Sequence, residues 1–293
     1  MRQKWASASR ARACRAPPAA IGFPSILVAE DLIFVETDAR QVVTITLGRP
    51  LARNALSPDL VEALHDTVSR VGADTRTRAL VLTGAGSAFS AGADIGALAE
   101  MATYSLERNL ADSRALDALF RAVDECPCPV VCRVNGAAVG GGAGLVACAD
   151  VAVAARGAVF AFSEVRVGII PAVVSTYVVP RIGVAWARRL LMTGERFDAE
   201  RARSIGLVHE VVPAEDLDVA VAAVVDQILE GWPQAQRRIK GHLQWAFVTG
   251  GPERDAVAAA AAEAAAAART SDEAVRGLRA FVEQAAARRA ERR

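Results

Sequence analysis

Apolar and polar residues alternate in two neighbouring segments near the start of the patterned part of the chain. Residues 32–38 and 41–47 both alternate, and a short polar segment separates them. This pattern predicts a β-hairpin. Ser57 and Pro58 then precede a segment whose apolar positions recur at helical spacing. A serine followed by proline is a typical helix start, so we expect Ser57 to cap a helix.

Short apolar runs and glycine-rich loops alternate through the next part of the chain. The runs at 78–84 and 128–134 predict buried strands, and each leads into a glycine-rich loop. Residues 104–124 have helical spacing, and the runs at 150–155 and 158–165 predict further strands. The repeated order of strand, loop and helix predicts an α/β fold.

After Pro171 the pattern becomes mainly helical, and the last part of the chain is rich in alanine. Alanine has the highest helix propensity, so this part is expected to be helical. We place a helical subdomain at residues 197–293, after a core at residues 30–196. Two interpretations of the subdomain stay open: an oligomerisation surface and a solvated tail.

The composition of the chain argues against several classes of function. The 34 basic and 33 acidic residues among 293 leave a net charge of +1, which argues against a dedicated nucleic-acid or membrane-surface binder. Lys4 and Lys240 are the only lysines, and neither lies in the motifs below, so lysine-based covalent catalysis is not expected. The five cysteines lack metal-site spacing. An odd number of cysteines indicates free thiols in a reducing compartment, and we expect a cytoplasmic protein.

Residues 1–29 are rich in arginine and serine. This composition fits a flexible basic extension, and a transit peptide is the alternative. No stretch is apolar and long enough to predict a membrane-spanning helix.

Two glycine-rich loops are candidate ligand-binding elements. Residues 90–94 follow one predicted strand, and Gly140–Gly142 follow the next. Glycines allow backbone N–H groups to approach a ligand, and two such loops could supply two donors to an oxyanion. The alternative for each loop is a tight turn without a ligand. Asp94 has a local interpretation as the cap of a helix that begins at Ile95.

Glu164 is the candidate acid/base. If residues 158–165 are extended, Phe160, Phe162 and Glu164 share one face, and the phenylalanines mark that face as buried. A desolvated carboxyl group has a raised pKa and can exchange protons near neutrality. The alternative is a strand-end glutamate turned outward. A carboxylate beside two oxyanion donors suggests proton transfer next to a thioester or similar carbonyl.

A nicotinamide-dependent oxidoreductase is a rival class. Gly142, Gly144 and Ala147 form a relaxed dinucleotide fingerprint, and Glu164 follows at a suitable distance. That fingerprint should follow its strand directly, whereas residues 135–139 intervene here.

Four motifs in this order resemble the enoyl-CoA hydratase/isomerase (crotonase) superfamily. They are residues 54–56, residues 88–95, Asn135-Gly136 with Gly140–Gly142, and residues 162–164 followed by 168–171. The resemblance implies a crotonase-like ββα spiral core with a C-terminal helical trimerisation subdomain. It also implies acyl-CoA substrates, a homotrimer or a dimer of trimers, and no metal or redox cofactor, since coenzyme A is part of the substrate.

The resemblance assigns roles to individual positions. The backbone N–H groups of Ala93 and Gly141 would stabilise the enolate, and Glu164 matches a catalytic glutamate of the family. The remaining positions implied to bind substrate or coenzyme A are Arg53, Ala91, Asp94, Ile95, Gly96, Gly140 and Gly144.

Gly144 is a departure, because common hydratases carry a second catalytic glutamate there. This favours an alternative activity, a single-glutamate 3,2-enoyl-CoA isomerase. A closer resemblance favours hydration: residues 101–105, 109–112, 142–147 and 163–175 resemble bacterial 3-methylglutaconyl-CoA hydratases of leucine breakdown. We therefore expect Gly144 to leave space beside Glu164 for a branched acyl group. A carboxylated acyl group would need a cation, and Arg166 and Arg181 are the candidates. An RNA-binding role would require a basic groove that the sequence does not indicate.

Overall fold

The computed structural model describes residues 32–247, 252–270 and 272–290. The predicted extension at residues 1–29 lies outside these ranges. Within them the chain forms two sheets and a set of surrounding helices. The strands are β1 (Ile33–Thr37), β2 (Val42–Leu47), β3 (Ala79–Gly84), β4 (Ala88–Ser90), β5 (Val130–Val134), β6 (Ala137–Val139), β7 (Val151–Ala155), β8 (Val159–Ala161), β9 (Arg196–Asp198) and β10 (Glu210–Val212).

The helices follow the strands in a regular order. They are α1 (Pro58–Ala73), α2 (Ile95–Met101), α3 (Leu106–Asp124), α4 (Gly141–Cys148), α5 (Ala172–Thr193), α6 (Ala199–Ser204), α7 (Leu217–Glu230), α8 (Pro233–Phe247), α9 (Pro252–Arg269) and α10 (Asp272–Ala290). Short 3₁₀ turns occupy Pro50–Ala52, Glu164–Val167 and Ala214–Asp216.

The two sheets are built by repeated ββα units. The larger sheet has the order β1-β2-β3-β5-β7-β10, and the smaller one has the order β4-β6-β8-β9. Each of β3, β5 and β7 joins the larger sheet, and the strand after it joins the smaller sheet before the chain enters a helix. Successive units pair in parallel in both sheets. This arrangement confirms the predicted α/β spiral.

Local signals in the sequence set several element boundaries. β1 and β2 form the predicted antiparallel hairpin. Ser57 accepts a hydrogen bond from the Leu60 N–H and so caps α1, with Pro58 at its first position. Asp94 accepts hydrogen bonds from the N–H groups of Gly96 and Ala97, which confirms its role as the cap of α2. These caps satisfy N–H groups that have no partner within the helix.

The C-terminal region does not separate at the predicted boundary. The division between residues 196 and 197 falls inside β9, which belongs to the smaller sheet, and β10 extends the larger sheet. α7 packs against the larger sheet, where Leu217, Val221 and Val225 join the core. α9 packs against α3 and α5 of the same chain. Part of the predicted subdomain therefore completes the core.

The described residues contain neither a candidate membrane-spanning helix nor a candidate metal cluster. No helix within these ranges is long and apolar enough to cross a membrane. In the same part of the chain, no group of three or more histidine, cysteine, aspartate or glutamate side chains could hold a metal ion.

Candidate active site

A cavity of about 500 Å³ lies among α1, α2, α3, α9 and the 3₁₀ turn at Glu164–Val167. Its lining includes the three residues predicted to be catalytic, Ala93, Gly141 and Glu164. Most of the remaining lining is aliphatic: Leu56, Pro58, Val61, Leu98, Met101, Ala115, Leu116, Ala118, Ile169, Ile170, Pro171, Ala172, Val173, Val174 and Ala265. Its polar side chains are Glu62, His65, Asp66, Asp112, Glu164 and Arg269.

Ala93 reaches the cavity through a short parallel bridge with Leu56. The Leu56 N–H donates to Gly92 O, and the Asp94 N–H donates to Leu56 O. In a parallel bridge of this pattern, the N–H of the middle residue points away from its partner strand. The Ala93 N–H is therefore directed away from Leu56 and remains available as a donor.

Gly141 is the first residue of α4, so its N–H is one of the donors without an intrahelical acceptor. The helix dipole makes this end favourable for negative charge. The two glycine loops approach each other closely: a Cβ atom on Gly92, where φ is +85°, would lie 2.5 Å from Val139 O and 3.6 Å from Gly140 N. The backbone contact brings the donors of Ala93 and Gly141 to one cavity.

Glu164 enters the cavity from the 3₁₀ turn and not from a strand. β8 ends at Ala161, and Glu164 begins the turn at Glu164–Val167. The prediction of an extended segment through residue 165 is therefore wrong, although Phe160 and Phe162 are fully buried as expected. The turn directs the Glu164 carboxylate to the backbone of Gly140, where a Cβ atom would lie 2.9 Å from Oε1.

The surroundings of Glu164 favour its neutral form. Oε2 is buried, and no hydrogen-bond partner for it occurs among the described residues. Burial raises the pKa of Glu164 from an ordinary 4.5 to about 7, against smaller lowering effects from its own backbone N–H and from Arg269. A carboxyl group with a pKa near neutrality can both accept and donate a proton at physiological pH.

Sequence reasoning missed four charged residues of the cavity: Glu62, Asp66, Asp112 and Arg269. Asp112 lies on α3, and its Oδ2 is buried without a partner in the described part of the chain. Arg269 ends α9, where Nη1 donates to Ser113 Oγ at 3.0 Å. The position of Arg269 in the sequence does not predict a place in the site, because only the packing of α9 against α3 brings this residue to the cavity.

Gly144 does not face the cavity. A Cβ atom at Gly144 would lie 2.6 Å from Cζ of Phe120, so the expectation of open space beside Glu164 is wrong. Gly142 is equally confined, because its Cβ would lie 2.5 Å from Ser90 O. Close packing therefore explains the glycines of the relaxed dinucleotide fingerprint.

The other predicted binding residues lie outside the cavity lining. The backbone of Arg53 has a left-handed conformation with φ +53°, and its carbonyl oxygen accepts a hydrogen bond from the Ala91 N–H. Asp94 caps α2, begun by Ile95 and Gly96, and its carboxylate also pairs with Arg49 at 3.0 Å. Their proposed contacts with coenzyme A stay predictions.

Neither arginine predicted for the acyl pocket lines the cavity. Arg166 is exposed on the 3₁₀ turn, next to Gly194. Arg181 donates a hydrogen bond to Ala149 O. The cation that does line the cavity, Arg269, comes from the C-terminal region.

This fold and site place the chain among proteins of known family. The sequence model of the family described as enoyl-CoA hydratase/isomerase matches residues 37–291. The match spans most of the chain, and the crotonase-like spiral and the paired glycine loops agree with it. The chain belongs to the enoyl-CoA hydratase/isomerase family, whose members are enzymes.

Individual relatives agree with this assignment. The chain is 34% identical over 219 residues to the crotonyl-CoA hydratase of Syntrophomonas wolfei, covering 73% of this chain and 81% of the relative. The crystal structure of an enoyl-CoA hydratase from Mycobacterium avium is similar, with a TM-score of 0.75, 37% identity and coverage of 86% and 96%. That of the enoyl-CoA hydratase from Mycobacterium smegmatis has a TM-score of 0.72, 33% identity and coverage of 87% and 97%.

Proposed function

We propose that this protein adds water to the double bond of a 2-enoyl-CoA thioester. The observation that carries the proposal is the joint presence of the Ala93 and Gly141 N–H donors and the Glu164 carboxyl group in one cavity. The names of the relatives, which are enoyl-CoA hydratases, support the same reaction.

In the proposed reaction, the thioester oxygen accepts hydrogen bonds from the Ala93 and Gly141 N–H groups. These donors stabilise the enolate that forms when the water oxygen bonds to the β-carbon. One proton of the water is lost and the α-carbon gains one, so the sum is the addition of one water molecule. Glu164 carries out this proton transfer, and its pKa of about 7 suits both halves of it.

We further propose that the acyl group is branched and carboxylated, as in 3-methylglutaconyl-CoA. The resemblance of residues 109–112 and 163–175 to hydratases of leucine breakdown supports this substrate. The cavity volume of about 500 Å³ is within the range of small-molecule sites.

A second candidate is double-bond migration by a 3,2-enoyl-CoA isomerase. One observation favours it: position 144, which carries a glutamate in common hydratases, has no side chain here and faces Phe120. A single carboxylate is sufficient to move a proton between two carbons.

Product identification separates the two activities. Crotonyl-CoA, 3-methylglutaconyl-CoA and 3-hexenoyl-CoA are incubated separately with the protein, and the products are identified by mass spectrometry and chromatography. Hydration predicts a gain of one water by the first two thioesters. An isomerase would convert 3-hexenoyl-CoA into the 2-enoyl isomer and add no water to any of the three.

We also infer that the protein acts in the cytoplasm as a homotrimer or a dimer of trimers. Exposed apolar side chains support an association surface, among them Met192, exposed to 71%, and Trp232, exposed to 82%. Light scattering coupled to size-exclusion chromatography tests the stoichiometry. A monomer at micromolar concentration would contradict it.

A further inference from the structure

Arg269 lies in the cavity but outside the catalytic group of Ala93, Gly141 and Glu164. It ends α9, and its Nη1 donates to Ser113 Oγ at 3.0 Å and, at 3.5 Å, to Asn109 O, both on α3. Ser113 and Asn109 are themselves fully buried. The guanidinium group is therefore held in place by buried partners on α3.

Among the described residues, the charge of Arg269 has no close counter-ion. Within the described part of the chain, no carboxylate lies within 4 Å of the guanidinium. Burial lowers the pKa of Arg269, while the more distant charges of Asp112 and Glu164 raise it. A buried cation without an ion-pair partner is costly. An arginine has five N–H donors, and the hydrogen bonds that Arg269 makes to described residues all come from Nη1.

Arg269 is the only lysine or arginine among the described lining residues, and most of its neighbours there are aliphatic. A purely hydrocarbon acyl chain needs only the aliphatic lining. A planar guanidinium is the group best suited to bind a carboxylate, because its N–H donors form a fork that matches the two carboxylate oxygens.

We propose that Arg269 binds a carboxylate at the far end of the acyl group, so that the cavity selects thioesters of dicarboxylic acids. The inference rests on the proposed function only in placing an acyl-CoA thioester in this cavity. Arg269 acts here as a specificity-determining residue, and the proton transfer stays with Glu164.

Binding of unreactive saturated thioesters tests the proposal without requiring turnover. Glutaryl-CoA and pentanoyl-CoA have acyl chains of equal length and differ in a terminal carboxylate against a methyl group. Isothermal titration calorimetry measures both dissociation constants for the parent, Arg269→Gln, Arg269→Lys and Arg166→Gln. Arg166 is the matched control, because it is an exposed arginine outside the cavity.

We expect the parent and Arg166→Gln to bind glutaryl-CoA about 10- to 100-fold more tightly than pentanoyl-CoA, as hydrogen bonds to a charged group would predict. Arg269→Gln should bind the two equally, and Arg269→Lys should keep part of the preference.

Two results would overturn the proposal. The first is a parent protein that binds glutaryl-CoA no more tightly than pentanoyl-CoA, and this result counts whether or not the variants fold. A folded Arg269→Gln variant that weakens both thioesters by the same factor would make Arg269 a structural link between α9 and α3. Failure of the parent to hydrate any enoyl-CoA would instead contradict the proposed function and leave the binding comparison valid.

Discussion

The Glu164 carboxylate packs against the backbone of Gly140, so closely that a Cβ atom at residue 140 would lie 2.9 Å from Oε1. Gly140 also has φ +52°, and its N–H donates to Ala161 O, which ties the second glycine loop to β8. The candidate acid/base and the candidate oxyanion loop are therefore in direct contact. Because Gly141 follows Gly140, any shift of this loop moves both the donor and the carboxylate.

Gly140→Ala should displace the carboxylate and strain the loop. A side chain at positive φ costs about 1 kcal/mol, and a small misplacement of reacting groups can cost roughly 100-fold in rate. We expect a fall in kcat of about that size, measured with crotonyl-CoA. Gly157→Ala is the matched control, because nothing lies within 4 Å of a Cβ there. Equal rates for the two variants would contradict the contact.

Two variants of Gly141 test its N–H group as an oxyanion donor, one without this N–H and one that keeps it as a control. Gly141→Pro removes the donor, whereas Gly141→Ala retains it and adds a Cβ 2.9 Å from the movable Cδ1 of Leu56. Loss of one oxyanion donor costs about 10²–10³-fold in kcat. We expect the proline variant to be slower than the alanine variant by this factor, with circular dichroism to check folding. Equal kcat values in folded variants would exclude this N–H from the oxyanion site.

The raised pKa of Glu164 predicts how stability depends on pH. The folded protein keeps the proton up to about pH 7, whereas the unfolded chain loses it near the ordinary 4.5. Folding therefore favours proton binding in this window, and the free energy of unfolding falls as the pH rises through it. The fall is roughly 3 kcal/mol for a shift of this size.

Glu164→Gln has no titrating group at this position and should lack that decrease. Urea unfolding of parent and variant at several pH values between 4.5 and 7.5, at one protein concentration, measures the difference. Stability profiles that stay parallel across the window would mean that Glu164 is ionised throughout, as in water.

Local sequence signals predicted the fold better than they predicted the site. Ser57 and Asp94 act within three residues of their own positions, so their caps can be read directly from the sequence. Alternation with Phe160 and Phe162 predicts a strand through Glu164, because the pattern does not show where the strand ends and the 3₁₀ turn begins. The burial of Glu164, and the partners of its carboxylate, depend on residues from other elements.

Gly144 and Arg269 show in opposite ways how far the sequence alone predicts the site. The motif that contains Gly144 predicts a position in the site, yet the ring of Phe120 on α3 occupies the space where a side chain at residue 144 would lie. Arg269 follows an alanine-rich helix without any motif, yet α9 brings it into the cavity. Both outcomes are decided by the packing of helices distant in sequence, on which residue periodicity carries no information.

The most direct test of the central claim is the rate of hydration of crotonyl-CoA by Glu164→Gln. The amide has nearly the same shape but cannot exchange the proton, and Glu62→Gln, at the exposed edge of the cavity on α1, is the matched control. General acid–base groups contribute about 10²–10⁴-fold. As the sole acid/base, Glu164 should contribute at or beyond the upper end of this range, so kcat should fall by about 10⁴-fold or more. Folding and CoA binding should be retained. The control should keep the parent rate. A folded Glu164→Gln variant that loses no more than about tenfold in kcat would contradict the assignment of Glu164 as the acid/base of this enzyme, because that loss is smaller than such a group contributes.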